Sequence, residues 1–123
     1  MNKTSPEVAA RLDELRRALL DQQRRLLVRV GAVESDLRWF DENVESEMIE
    51  EGQERSLAAL LEQLDERERE AIDSIEAALG RMRRGTYGVC TACRSPIPLA
   101  RLRVLPTAET CRACAASAAP PHG

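Results

Sequence analysis

The sequence predicts a mainly α protein: a long antiparallel two-helix coiled-coil hairpin that carries a small C-terminal module built on four cysteines. Three observations predict it. No proline occurs between Pro6 and Pro96, so nothing along that stretch forbids helix. Apolar residues recur there at alternating spacings of four and three, the period of a coiled-coil seam. Cys90, Cys93, Cys111 and Cys114 then form two Cys-x-x-Cys pairs with 17 residues between them.

The first helix starts at Thr4-Ser5-Pro6-Glu7. A hydroxyl ahead of Pro6 can cap free amides, proline is tolerated at the first helical position, and Glu7 suits the positive end of the helix dipole. Val8, Leu12, Leu15, Leu19, Gln22 and Leu26 make its seam, which continues through Val30, Val33, Leu37 and Phe40 after one extra step of four. A break in the pattern near Leu26 to Val30 is therefore visible in the sequence. The helix is expected over about residues 6–40.

A second seam runs through Leu57, Leu61, Leu64, Ala71, Ile75, Ala78 and Met82, with Glu68 interrupting it. The short polar connection Asp41-Glu42-Asn43 favours antiparallel neighbours, each seam burying the other, over the alternative of an intermolecular coiled coil. Asp41 and Asn43 are candidate caps for the returning helix. Helix 2 is expected over about 44–84, with a tip at about 41–52, and Trp39 and Phe40 either packed over the turn, the favoured reading, or exposed as an anchor for a partner. Helices of this length span roughly 50–60 Å. The cations of Met82-Arg83-Arg84 favour a helix C-terminus, and Gly85 supplies the exit.

The module after Gly85 is expected over 85–116, with 117–123 as a flexible tail. A two-residue gap lets both thiolates of a pair face one ion from a tight turn, and the second pair completes the tetrahedron that structural Zn²⁺ prefers. One structural Zn²⁺ is thus expected on Cys90, Cys93, Cys111 and Cys114. Disulfides or a redox dithiol are the alternative. Against them, no apolar signal segment follows Met1, and no βαβ surround is legible. With four thiolates the metal has no open position for water or substrate, which argues for a role in folding. His122, in the terminal Ala-Ala-Pro-Pro-His-Gly run, is not expected to be a ligand. Leu102, Val104 and Leu105 are the apolar residues available to cover an ion that supplies most of the module's core.

Composition agrees. Only Trp39, Phe40 and Tyr87 are aromatic, 32% of residues are charged, and a conventional globular core is not expected. No apolar run approaches the ~20 residues that span a bilayer, and with its thiols reduced the protein is expected to be soluble and intracellular. The net charge of −3 conceals a polarity: +2 over residues 1–40, −11 over 41–76 and +6 over 77–123. Arg81, Arg83, Arg84, Arg94, Arg101, Arg103 and Arg112 supply the basic end. They compensate a tetrathiolate zinc site of charge −2 or, on a sharper reading, face nucleic acid. The adjacent acidic segment repels a long phosphate backbone, so direct DNA binding is not expected.

The run Gly85-Thr86-Tyr87-Gly88-Val89-Cys90-Thr91-Ala92-Cys93, with Ile97, Arg101-Leu102, Pro106-Thr107-Ala108 and Cys111-Arg112-Ala113-Cys114, resembles the DksA/TraR C4 zinc-finger family. Leu64-Asp65-Glu66-Arg67-Glu68-Arg69-Glu70 and Ile75-Glu76-Ala77-Ala78-Leu79 resemble that family's returning helix. The likeness covers about residues 45–116 closely, and helix 1 matches in character only. It implies a non-enzymatic partner of bacterial RNA polymerase, in the cytoplasm, that inserts its hairpin into the secondary channel and modulates initiation through acidic tip residues, often with ppGpp; a monomer is expected.

Counting back from Cys90, the family's tip pattern Asp-x-x-Asp-x-Ala falls on Glu47, Glu50 and Gly52. Both carboxylates are retained in kind, and Glu51 or Glu45 are possible substitutes. Their bland reading is as solvated glutamates near a helix N-terminus. Arg67 retains a family cation, a possible ppGpp or polymerase contact, whereas Ser74 and Ala115 stand where DksA carries lysines, which implies little ppGpp dependence. Arg94 replaces a glycine that commonly follows the second cysteine. If that position needs a positive φ, the arginine is mildly strained.

Two other functional classes fit the composition: a zinc-stabilised coiled-coil adaptor for another protein, and a nucleic-acid-binding finger. An enzyme fits poorly, because no nucleophile, base and orienting group occur together. RNA cleavage assisted by tip carboxylates, as in the similarly shaped Gre factors, is disfavoured by the DksA type of finger.

Overall fold

A computed structural model of the chain describes residues 4–31 and 59–118. In chain order these hold α1 (Pro6–Ala10), α2 (Leu12–Arg29), α3 (Glu66–Arg84), α4 (Leu99–Val104) and α5 (Arg112–Ala118). The described residues form no strand, only an isolated antiparallel bridge between Val89 and Pro96. The tip residues Glu45, Glu47, Glu50, Glu51 and Gly52 lie outside the described residues, as do Val33, Leu37, Trp39, Phe40, Asp41, Asn43 and Leu57.

α1 begins as its sequence dictates. Ser5 caps it by accepting from the Val8 amide at 3.2 Å, with Pro6 in the first turn. At Arg11 (φ −116°) the helix overwinds for one turn, with Arg11 N–H donating to Val8 O at 2.9 Å, before α2 continues. α2 packs antiparallel on α3. Arg29 at the end of α2 pairs with Glu68 in the first turn of α3, and Val8 meets Gly88 just beyond the end of α3. A Cβ on Gly88 would stand 3.0 Å from Val8 Cγ1, and φ there is +84°, so this close approach and this backbone both require glycine.

The seam is a helical stripe, shifted in detail from the heptad reading. Val8, Leu15 and Leu19 are buried as expected, but the stripe then steps by four to Gln23 and Leu27. Leu12 and Leu26 are left half-buried at its edge. On the returning chain Leu60, Leu64, Ile72, Ile75, Ala78 and Leu79 are buried, so Ile72 takes the place assigned to Ala71. Each fully buried Leu or Ile stabilises the pair by about 1.5–3 kcal/mol.

Neither helix runs as far unbroken as the sequence suggests. α2 stops at Arg29 because Gly31 adopts φ +96°, a left-handed conformation that cannot continue a right-handed helix. The returning chain is helical over 59–62, leaves helical geometry over 63–65, and restarts at Glu66. Asp65 causes the restart: its side chain accepts from Glu68 N–H at 2.8 Å while Glu68 Oε1 accepts from Asp65 N–H at 3.1 Å, a full capping box. Glu68, which interrupts the apolar seam, is thus tied to both Asp65 and Arg29. α3 ends as expected at Gly85, φ +76°.

The module is not held by its cysteines alone. One apolar cluster joins Val8, Leu15, Leu19, Ile75, Ala78 and Leu79 of the hairpin to Tyr87, Cys90, Ile97, Leu102 and Ala108 of the module. Of the three residues expected to cover the metal, only Leu102 is buried; Val104 and Leu105 face outward, Val104 being 86% exposed. α4 is a short helix with one inward face, and that face is spent on Leu102. α5 continues to Ala118, past the expected start of the tail at 117.

A four-thiolate metal centre at the base of the hairpin

The chain leaves α3 through Gly85, and Tyr87 and Gly88 bring it onto the first Cys-x-x-Cys turn. Cys90 N–H donates to Ser95 O at 2.8 Å, Arg94 N–H donates back to Cys90 O at 2.9 Å, and Ile97 N–H donates to Gly88 O at 2.8 Å. These bonds fold residues 90–95 into a knuckle. Its closing residue, Arg94, sits at φ +67°, the positive φ anticipated where the family commonly has glycine. Thr91 N–H donates to Glu109 O at 2.9 Å, which lays the second cysteine pair beside the first, and Ala115 N–H to Cys111 O starts α5 between Cys111 and Cys114.

The four sulfur atoms lie within 4.8 Å of one another, with Cys93 Sγ 3.8 Å from Cys111 Sγ. Zn–S bonds of about 2.3 Å in a tetrahedron put neighbouring sulfurs about 3.8 Å apart, so the cluster fits one Zn²⁺ without rearrangement. All four cysteines are free of disulfides. Cys90 is buried and Cys93 exposed, which gives the site a sealed inner side and an open outer one. Backbone N–H groups, Cys93 first, push the Cys90 thiol down to about 6, while the crowding of the other three sulfurs pushes Cys114 up to about 12. A divalent cation between them stabilises all four as thiolates.

Polar contacts fasten the module to the helices. Tyr87 is buried and its hydroxyl donates to Pro106 O at 2.7 Å; Thr4 Oγ1 donates to Tyr87 O at 2.6 Å. Arg81, only 8% exposed, donates from Nη2 to Thr107 O at 3.3 Å and stands 3.9 Å from Glu109. Burial lowers its pKa, with Glu109 opposing. Arg101 Nε donates to Thr110 O at 3.1 Å, and Arg103 grips Glu14 of α2 through two hydrogen bonds of 2.9 and 3.3 Å. Arg81 and Arg101 are therefore struts within the fold and Arg103 a surface strut to Glu14, while Arg83, Arg84, Arg94 and Arg112 are the further exposed cations of the basic end.

Arg67 is exposed on the first turn of α3, and Ser74 is exposed two turns further along the same helix. Ser74 lines a groove of about 530 Å³ with Ala71, Ile75, Leu26 and Leu105, and Arg25 and Arg29 rim it from α2. Ala115 is half-buried on α5. The periodicity reading missed Arg25 and Arg29, because the antiparallel register that brings them beside Ser74 is fixed only once the helices pair.

The family model of the prokaryotic dksA/traR C4-type zinc finger matches residues 85–118. The structure of transcription factor DksA2 from Pseudomonas aeruginosa superposes with a TM-score of 0.57 at 32% identity, covering 88% of this chain and 82% of that one. The chain belongs to the DksA/TraR family. An uncharacterized protein of Aquifex aeolicus (strain VF5) is 31% identical over 106 residues, 85% of this chain and 73% of its own length. YteA of Bacillus subtilis (strain 168), also uncharacterized, is 47% identical over 47 residues but is covered over only 20% of its length. With the DksA/TraR finger matched and the sulfur geometry fitting, the cofactor is one structural Zn²⁺ held by Cys90, Cys93, Cys111 and Cys114. Among the described residues no helix is long and apolar enough to cross a membrane.

Proposed function

We propose that this protein is a non-enzymatic transcription regulator that binds RNA polymerase and presents the acidic middle of its sequence to the secondary channel. The observation that supports this best is the fusion of a DksA/TraR finger to an antiparallel helix pair through one shared core. Such a base fixes the direction in which the hairpin leaves the finger. The segment 41–76 carries a charge of −11, suited to the positive potential around a catalytic Mg²⁺ at the end of a channel. In this reading Glu47 and Glu50, with Glu51 beside them, do the modulating and the zinc site only supports them. The four-thiolate centre offers no coordination position for chemistry.

The reading includes weak dependence on ppGpp, since Ser74 and Ala115 supply no charge where DksA supplies lysines, leaving Arg67. The partner is the polymerase, bound by a monomer, without direct DNA contact. Retention of purified RNA polymerase by the zinc-loaded protein, followed by multi-round transcription with and without ppGpp, tests it. Glu47→Gln with Glu50→Gln should keep binding and lose the effect on transcription. Absence of polymerase binding at micromolar concentration would sink the reading, and salt-sensitive DNA binding in its place would favour a nucleic-acid-binding finger.

A further inference from the structure

Both chains of the hairpin leave helical geometry at one level, and we propose that this level is a joint at which the hairpin bends relative to its finger-bearing base. On the outgoing chain α2 ends at Arg29, Val30 N–H turns back to Leu27 O, and Gly31 takes φ +96°. On the returning chain Gln63 N–H bonds Leu60 O and Leu64 N–H bonds Leu61 O, tight turns that close the segment 59–62. Asp65 is then extended, φ −74° and ψ 174°. The Arg29–Glu68 pair sets the two breaks side by side. Gly31 lies two residues beyond Arg29 and Asp65 three before Glu68, each within about one helical turn of the pair.

The side chains support both breaks. Arg69 Nη2 donates to Leu64 O and, beside the Leu64 amide, to Leu61 O, each at 3.3 Å, so a cation braces the carbonyls at the interruption. The Asp65–Glu68 capping box satisfies the amides on the other side of the gap. A Cβ on Gly31 would meet nothing within 4 Å among the described residues, and its φ of +96° is the backbone freedom for which glycine serves there. A few residues at element ends, with their hydrogen bonds satisfied locally, are what a hinge needs to absorb a change of φ and ψ. Below the joint, buried Leu27, Ile72 and Ile75 hold α2 against α3.

The inference stands apart from the polymerase reading and is tested without polymerase. Spin labels on non-natural amino acids, which spare the zinc cysteines, are placed in the zinc-loaded full chain at Asp21 and Glu62, across the joint, and at Asp21 and Asp73, within the base. Pulsed electron resonance should give a broader distance distribution for the first pair, narrowing in the Gly31→Ala, Asp65→Ala double variant, where helix is free to continue. Amide exchange on the unsubstituted chain provides the second readout. The amides of 29–31 and 63–65 should exchange at least about tenfold faster than those of Leu19 and Ile75. Equal distribution widths for the two pairs, or protection that continues undiminished through 29–31 and 63–65, would overturn the joint.

Discussion

Removing one oxygen, in Tyr87→Phe, should cost the base of this protein a large part of its stability. Tyr87 is 2% exposed, its hydroxyl donates to Pro106 O at 2.7 Å, and Pro106 is itself buried. Without the hydroxyl that carbonyl has lost its donor away from water, a penalty of about 1–3 kcal/mol. For a unit of this size the melting temperature of the zinc-loaded chain should fall by roughly 5–15 °C. The same burial pushes the phenol from its ordinary 10.0 up to about 12, with Arg81 partly opposing. The folded chain holds this proton more tightly than the unfolded chain. Its contribution to stability is therefore complete below pH 10 and is lost as pH rises through about 12. Tyr87 is the only tyrosine, so phenolate absorbance reads it directly: the native midpoint should lie near 12 and the denatured one near 10. A native midpoint near the denatured one, or a Tyr87→Phe variant within about 0.5 kcal/mol of the parent in urea unfolding, would refute the reasoning.

Stripping the metal with a strong chelator should lower far-UV helicity beyond what α4 and α5 contain, because Cys90 shares a core with Val8, Leu15 and Leu19; unchanged helicity would show that the hairpin base stands without zinc. Gln23→Leu should stabilise the chain by about 1–3 kcal/mol in urea titrations, since the buried Gln23 Nε2 has no hydrogen-bond partner among the described residues; a loss of stability would show that the amide is satisfied. Arg94→Gly should relieve the φ of +67° and gain about 1–2 kcal/mol, read as tighter zinc retention against a competing chelator. Retention no better than the parent's would place the strain elsewhere.

Much of this fold can be read from local chemistry. Ser5, Pro6 and Gly85 mark helix ends because capping is decided within four residues, and the Cys-x-x-Cys pairs reveal their metal because thiolate spacing has few other uses. The seam is legible only approximately. A strict alternation of threes and fours assumes an unbroken coiled coil, whereas the buried stripe takes successive steps of four after Leu19, to Gln23 and Leu27, and so moves by one residue. The halt at Gly31 was foreshadowed by the pattern break near Leu26 to Val30. The halt before Asp65 was concealed, because Asp65 and Glu68 also read as ordinary members of a charged helix. The bracing roles of Arg81, Arg101 and Arg103 depend on carbonyls at Thr107 and Thr110 and on Glu14, which lies 89 residues from Arg103 in sequence. No local pattern contains such contacts.

The bond from Thr4 to Tyr87, with Val8 lodged against Gly88, means that the metal-bearing module clasps the first helix where it starts and the last long helix where it stops. Folding of the helix pair and capture of the ion are then two legs of one thermodynamic cycle. A substitution at Leu19 or Ala78, far from any sulfur in sequence, must weaken ion binding by the factor by which it loosens the clasp. Free zinc in turn sets the fraction of chains whose helices are aligned. The base thus behaves as a metal-gated assembly step, and the ion's availability determines how much of the protein holds its helix pair clasped to the finger.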